Sequence, residues 1–340
     1  MPIEATRRQL LRAGAALGLA AALPAVSPAA PAAAGVPDSP RFDLTAPSTA
    51  LLRERRLHNA TVLQSLAFDN TNRRLFTVQL VQGGLTLTGE SGPVSGAERA
   101  RRGDLVVTRL DLSGERTGRM YLKGFGHGVQ IGAEPVGPDS YLWTETDAVS
   151  DGTDAWGRAL ARFPFTDGQV LTPAAADLEK HEPVPGATAT TAAVDPAHGR
   201  LAMRYRRSGR TRVAVYALDD LRARRYTPLA DVAQPPAVAA EHPFQGYAVH
   251  GRYLYMLEGS AYGTPGSAEP TGNTHVTCVD LGSGAVVDRR LTRAGYTLPF
   301  REPEGMAVQL DGSRARLCMG FASGEAGARL ASVYYKDLLV

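Results

Sequence analysis

The sequence predicts an all-β protein: a five-bladed β-propeller of four-stranded antiparallel blades after an N-terminal signal peptide. Strand-length apolar or alternating runs dominate beyond residue 57, closed by Gly, Asp, Asn and Ser turns, with almost no helical i, i+3, i+4 spacing. One strand–turn–strand grammar also returns about every 40–50 residues, as the blades of a propeller do. The chain has 340 residues, 44% hydrophobic and 21% charged, enough for a large buried core. A β-sandwich would explain short strands but not the regular return of the same order.

Residues 1–34 read as a secretory signal. Thr6-Arg7-Arg8-Gln9-Leu10-Leu11 precedes an Ala/Gly/Leu run from Ala13 to Val26, and small residues reach Ala34. The paired arginines resemble a twin-arginine signal, and a Sec signal with incidental arginines is the alternative. The apolar run is shorter than the ~18–20 residues that span a bilayer. Residues 35–56 read as a linker and residues 57–338 as the propeller. Loss of Arg7, Arg8, Arg12 and Glu4 with the signal lowers the formal charge from +3 to +1, which argues against a nucleic-acid partner. The mature chain is expected to be a secreted, soluble monomer without a transmembrane span, extracellular or held at the cell wall.

Blade one takes Gln64–Asp69, Arg74–Gln79, Asp104–Asp111 and a strand near Met120–Leu122, with Gly83–Gly103 as a long surface loop. Blade two opens at Gly126-His127-Gly128 and continues through Tyr141–Thr146 and Ala159–Phe165 to Val170-Leu171. Blade three takes Thr190–Asp195, Arg200–Tyr205 and Val213–Leu218. Blade four takes Gln245–Val249, Tyr253–Glu258, His275–Leu281 and Val286–Asp288. Blade five takes Glu304–Val308, Arg316–Phe321 and Leu330–Tyr335. Cys278 and Cys318, the two cysteines, both fall in strands. In an exported protein they either pair or stay as buried thiols.

Several of these segments form one set of marks: Gln64–Asp69 with Arg74–Gln79, then Gly126-His127-Gly128, Gln245-Gly246 and Glu302-Pro303-Glu304-Gly305-Met306. Together they resemble the five-bladed propeller shared by teichoic acid biosynthesis protein C and certain staphylococcal phage receptor-binding proteins. Helveticin-type bacteriocins look similar. The resemblance covers about Leu57 to Leu338 and implies a protein that handles or recognises cell-wall glycopolymer, teichoic acid in particular. It supplies no catalytic residue set. Phage members attach the propeller to tail modules, whereas a signal peptide leads into it here, which favours an exported, free-standing binder.

In a propeller the first strand of each blade lines the central channel, and Gln64, His127, Gln245 and Glu304 each stand at the start of a first strand. Amides and imidazole both donate and accept hydrogen bonds, so these side chains suit sugar hydroxyls or a polyol phosphate, or one another and ordered water. His127, between two glycines, reads as a general base, a metal ligand or a structural histidine, the other histidines falling in different blades or loops. Glu302 and Glu304 bracket Pro303, so both carboxylates can face the channel mouth for cation binding or acid/base work, or serve blade packing. Glu145, Glu258 and Arg204 in second strands extend the same wall. Asp147, Asp151 and Asp154 make a loose calcium-like loop without EF-hand regularity; the alternative is an exposed loop anchored by Trp156. Trp143 and Trp156 either stack on sugar rings or pack between blades.

The chain has no G-x-S-x-G elbow, no H-E-x-x-H, no phosphate-binding P-loop and no cysteine pair at zinc spacing. The reading that results is an exported, non-catalytic protein that binds teichoic-acid-like glycopolymer at the channel mouth and needs no cofactor. One alternative is a hydrolase or lyase using His127 with Glu302 or Glu304; another is a helveticin-like antibacterial protein.

Overall fold

The computed structural model describes residues 35–340 except residue 177, so the expected signal peptide lies outside the described residues. Five sheets follow one another around an axis. From the inside outwards, blade one is Leu63–Asp69, Arg74–Leu80, Leu105–Asp111 and Arg116–Leu122. Blade two is Gly132–Val136, Asp139–Thr146, Ala159–Pro164 and Glu179–His181. Blade three is Thr188–Asp195, Arg200–Arg207, Arg210–Ala217 and Ala230–Ala233, and blade four is Phe244–His250, Tyr253–Glu258, His275–Asp280 and Val286–Leu291. Blade five is Glu302–Asp311, Arg314–Ser323, Leu330–Lys336 and, outermost, Thr49–Arg55.

That last strand corrects the reading of residues 35–56 as a linker. Thr49–Arg55 pairs antiparallel with Leu330–Lys336, Ala50 opposite Tyr334 and Leu52 opposite Val333. Ahead of it, Phe42 is fully buried against Tyr255 and His250, its backbone N–H donating to the Tyr255 hydroxyl at 2.8 Å. Closing the ring with the first strand of the body covers the last blade's edge, which would otherwise offer unpaired backbone groups. A reading by consecutive hairpins has no view of a partner so distant in sequence.

Two further assignments change. Val170–Leu171 does not complete blade two; it adds in parallel to the outer edge of blade one, beside Tyr121 and Leu122. The insert read as a surface loop carries the short helix Gly96–Arg102, capped by Ser95 and held by Arg99. The Arg99 guanidinium is fully buried between Glu90, at 2.5 Å, and Asp104, at 2.8 Å. A buried cation needs such partners, and together they fix the loop to blade one.

Each blade buries both faces, because each is packed between two others. Ala248, Tyr255 and Leu257 of blade four meet Met306, Val308, Leu317 and Met319 of blade five in one cluster. Aspartates punctuate the hairpins: side-chain oxygens of Asp69, Asp111, Asp195 and Asp280 each accept a backbone N–H two or three residues on, the turn chemistry the sequence suggested. Cys278 and Cys318 are buried and free, in blades four and five, and burial pushes both thiols up to about 12. No helix among the described residues is long and apolar enough to cross a membrane.

Candidate ligand-binding face

The inner strands begin on one face, and there the ladders of blades one, three, four and five slip while that of blade two does not. In blade one Leu63 pairs with Gln79 and Ser65 with Val78, leaving Gln64 unpaired. Blades three, four and five shift likewise around Ala189-Thr190, Gln245 and Glu304-Gly305. A bulge re-aims the side chain it carries, so Gln64, Gln245 and Glu304 are brought to one rim, with Ala189 taking the position in blade three.

Below the rim the backbones nearly touch. A Cβ on Gly305 would lie 2.6 Å from the Cα of Ser65, and one on Gly246 would lie 2.6 Å from the Cα of Gly305. The Ser65 hydroxyl donates to the Gly128 carbonyl at 2.6 Å, linking blades one and two. Gln130 fills the axis: its Nε2 donates to the Met306 carbonyl at 2.8 Å, and its Oε1 accepts the Tyr247 N–H at 3.1 Å. About 10 Å³ remains between the inner strands, barely the room of one water. That space is too small for a sugar or a polyol phosphate, so a ligand on this axis would have to sit on the face above it.

The expected site residues divide on that face. Glu145 is fully buried and cannot touch a ligand; its carboxyl accepts N–H groups of Gly128 at 2.7 Å and Gly157 at 2.6 Å. Burial pushes it up to about 7, against the pull of those donors. It positions the His127 loop. His127 stacks on Trp156, centroids 4.8 Å apart, with its Nδ1 3.3 Å from Asp154. Burial lowers its pKa while Asp154 opposes the shift, so the ring is neutral near pH 7. Gln245 donates to the Gly259 carbonyl at 2.9 Å. Glu258 is buried against Arg289 and the Ala239 N–H, a structural role.

Glu304 is buried and Glu302 half-buried beside it. Burial holds the Glu304 carboxyl well above the usual range, and the Glu302 charge adds to the shift. Burial also raises Glu302, opposed by Arg329.

The calcium-like loop does not gather its acids. Asp147 takes Lys180 at 2.6 Å, Asp151 takes the Trp156 indole N–H at 2.8 Å, and Asp154 faces His127. Asp151 and Asp154 both serve the His127–Trp156 stack, Asp147 is tied to Lys180, and the three carboxylates are not gathered at metal-ligating distance. Of the two tryptophans, Trp143 is fully buried and donates to Glu134, whereas Trp156 stands on the rim.

Next to Trp156 the face opens into a groove of about 520 Å³ between blades two and three, whose lining includes Trp156, Arg158, Arg204, Arg206, Thr211 and one carboxylate, Asp151. Arg204 lies over the Phe244 ring at 3.9 Å and donates to the Gln234 amide oxygen at 3.0 Å. Burial lowers its pKa to about 10, which leaves it charged at neutral pH. Among the described residues no carboxylate stands within 4.0 Å of Arg158, Arg204 or Arg206. A larger groove of about 720 Å³ lies at the outer rim between blades four and five. There Arg53 and Arg290 pair with Glu54 and Asp288, while Arg293 and the buried Lys336 also line it. Arg158 and Arg206 were absent from the sequence-based site. The i, i+2 spacing of Arg204 and Arg206 on one strand was the available signal.

A family model describing the phage five-bladed β-propeller receptor-binding platform domain matches residues 62–335. The chain belongs to that family. A protein of Bacillus subtilis (strain 168) named for teichoic acid biosynthesis, protein C, is 28% identical to it over 305 residues, 86% of this chain and 63% of the relative. The tail fibre of Staphylococcus aureus phage P68 shares the platform fold with a TM-score of 0.65 at 18% identity, over 87% of this chain and 54% of the fibre. A GH43 enzyme from Xanthomonas citri superposes more loosely, with a TM-score of 0.45 at 12% identity over 84% of this chain and 91% of the enzyme. The chain thus spans only part of the length of the platform-bearing relatives. The Gly-followed marks at Gln245 and Glu304 coincide with the bulged ends of their inner strands. His127, expected to begin the first strand of blade two, lies instead in the loop before Gly132–Val136, because the Glu145 carboxyl holds that loop by the Gly128 N–H; the strand itself pairs without a shift.

Proposed function

We propose that this protein is an exported binding protein that recognises a polyanionic cell-wall glycopolymer of the teichoic acid type on the face where the inner strands begin. The observation that carries this reading is the groove beside Trp156, where Arg158, Arg204 and Arg206 outnumber the one lining carboxylate, Asp151, and among the described residues none of the three has a carboxylate within 4.0 Å. Guanidinium forks match phosphate oxygens, and the half-buried Trp156 indole adds apolar surface for a sugar or polyol. Membership of a receptor-binding family and the name of the Bacillus subtilis relative point to the same polymer class. Export rests on the Arg7-Arg8 leader pattern.

The test is calorimetric titration of purified poly(glycerol phosphate) wall polymer into the protein. Binding should weaken as salt rises, and Arg206→Ala and Trp156→Ala should each lower affinity about tenfold or more. Absence of binding to glycerol phosphate, ribitol phosphate and glycosylated wall polymers alike would reject the proposal.

The carboxyl pair Glu302 and Glu304 supports a second reading, a hydrolase acting on the same polymer. Both carboxyls are held above their ordinary range at the rim, which suits a general acid. It requires product release from wall polymer that Glu302→Gln abolishes.

A further inference from the structure

On the opposite face, the far ends of the inner strands of blades three and four bring together a side-chain group unconnected with the groove. Asp195 ends the inner strand of blade three and is fully buried. Its Oδ1 accepts the Ala197 N–H at 3.1 Å and its Oδ2 accepts the Gly251 N–H at 2.9 Å. His198, in the turn that follows, places its Nδ1 2.8 Å from the same Oδ2. His250 ends the inner strand of blade four, and its Nδ1 lies 3.9 Å from Asp195 Oδ1. One ligand atom from each of the three residues lies within 4.8 Å of the others.

Two features distinguish this group from an ordinary polar turn. His250 is only 7% exposed, and its Nδ1 is buried without a hydrogen-bond partner. Buried polar atoms are paired with few exceptions, and an orphaned one calls for an explanation. The neighbouring cations are also occupied elsewhere: Arg200 donates to the Gly251 carbonyl at 2.9 Å, and Arg252 pairs with Asp280 and Asp38. The rings of His198 and His250 meet edge to face with centroids 5.0 Å apart.

We propose that Asp195, His198 and His250 form a divalent zinc site that clamps the blade-three hairpin to the end of the blade-four inner strand. Two imidazoles and one carboxylate are a borderline nitrogen and oxygen donor set suited to zinc. Bonds of 2.0–2.2 Å in a tetrahedral shell place ligand atoms about 3.4 Å apart, so the wider separations, now up to 4.8 Å, must shorten and the 2.8 Å contact of His198 with Asp195 must open. The metal sits between His198 Nδ1 and Asp195 Oδ2 and displaces the contact that Nδ1 now makes with the Gly251 N–H at 3.2 Å. His198, about one-third exposed, opens the site to solvent and leaves the fourth position to water.

The experiment titrates Zn²⁺ into metal-free, full-length protein against a chromophoric chelator, with Co²⁺ as the spectroscopic stand-in and thermal unfolding as a second readout. The expected result is one equivalent bound near pH 7.5, a visible Co²⁺ absorption band and a raised Tm. His198→Ala, at an accessible position, should weaken binding at least about tenfold and remove the Tm rise. Asp195→Asn, which keeps an oxygen for the turn, should do the same. Absence of stoichiometric binding by the wild type overturns the proposal, as does unchanged binding by His198→Ala. A separate histidine pair, His242 and His275, stacks with centroids 5.9 Å apart; binding lost in His242→Ala and retained in His198→Ala would place the metal there and refute the assignment.

Discussion

Replacing Gly305 by alanine tests how the closed channel holds the binding face. Gly305 has a φ of +71°, where an L side chain is strained by about 1–2 kcal/mol. The new methyl would also lie 2.6 Å from the Cα of Ser65 and 3.2 Å from the backbone nitrogen of Leu66. Because those are backbone atoms of a neighbouring blade, no rotamer change relieves the overlap, and overpacking of this kind costs about 1–3 kcal/mol. Gly312, in the hairpin turn of the same blade, is the control. Its φ is +62° and a methyl there would have nothing within 4 Å, so alanine meets only the conformational part. Alanine also restricts the unfolded chain, returning about 0.4–1 kcal/mol at both positions. Subtracting the control leaves the contact contribution, roughly 1–3 kcal/mol. Urea denaturation with unchanged m-value and thermal scanning both read it, at roughly 2–4 °C per kcal/mol for a large domain. If Gly305→Ala and Gly312→Ala lose the same stability, the inner strands are not packed backbone to backbone and the account of a closed channel is wrong.

Two other expectations follow from buried groups. With Glu145 raised from 4.5 to about 7 in the folded protein, its contribution to stability is fully present below pH 4.5 and is lost as pH rises through 7, roughly 3 kcal/mol in all. Relative to Glu145→Gln, the wild type should therefore lose about that much between pH 4.5 and 7.5 in chemical denaturation, and a pH-independent difference would contradict the burial argument. Phe42→Ala should cost roughly 3–5 kcal/mol, because the ring is fully buried against Tyr255 and His250. A loss below about 1 kcal/mol by equilibrium unfolding would show that the segment ahead of the closing strand is not docked.

The contrast between sequence and structure falls along the range of the interactions involved. Strand alternation, Asp-closed hairpins and the Gly following Gln245 and Glu304 are local features, and each is legible along the chain. They determined the fold class, the approximate blade order and the end of the inner strands at which polar side chains gather. The same locality explains the misplacements. Val170–Leu171 looks like the continuation of blade two because it follows it, yet it joins the edge of blade one. Glu145 looks like a wall residue, yet the N–H groups of Gly128 and Gly157 hold it beneath the surface.

The repeated antiparallel unit is legible along the chain because hairpin pairing and turn chemistry act over a few residues. What meets across blades depends on the closed ring. Ring closure brought Thr49–Arg55 to Leu330–Lys336, aligned Trp156 and Arg158 of one blade with Arg204 and Arg206 of the next, and set His198 beside His250. Such contacts depend on the angle and stagger between sheets, which the packing of the whole ring sets and no stretch of neighbouring residues encodes.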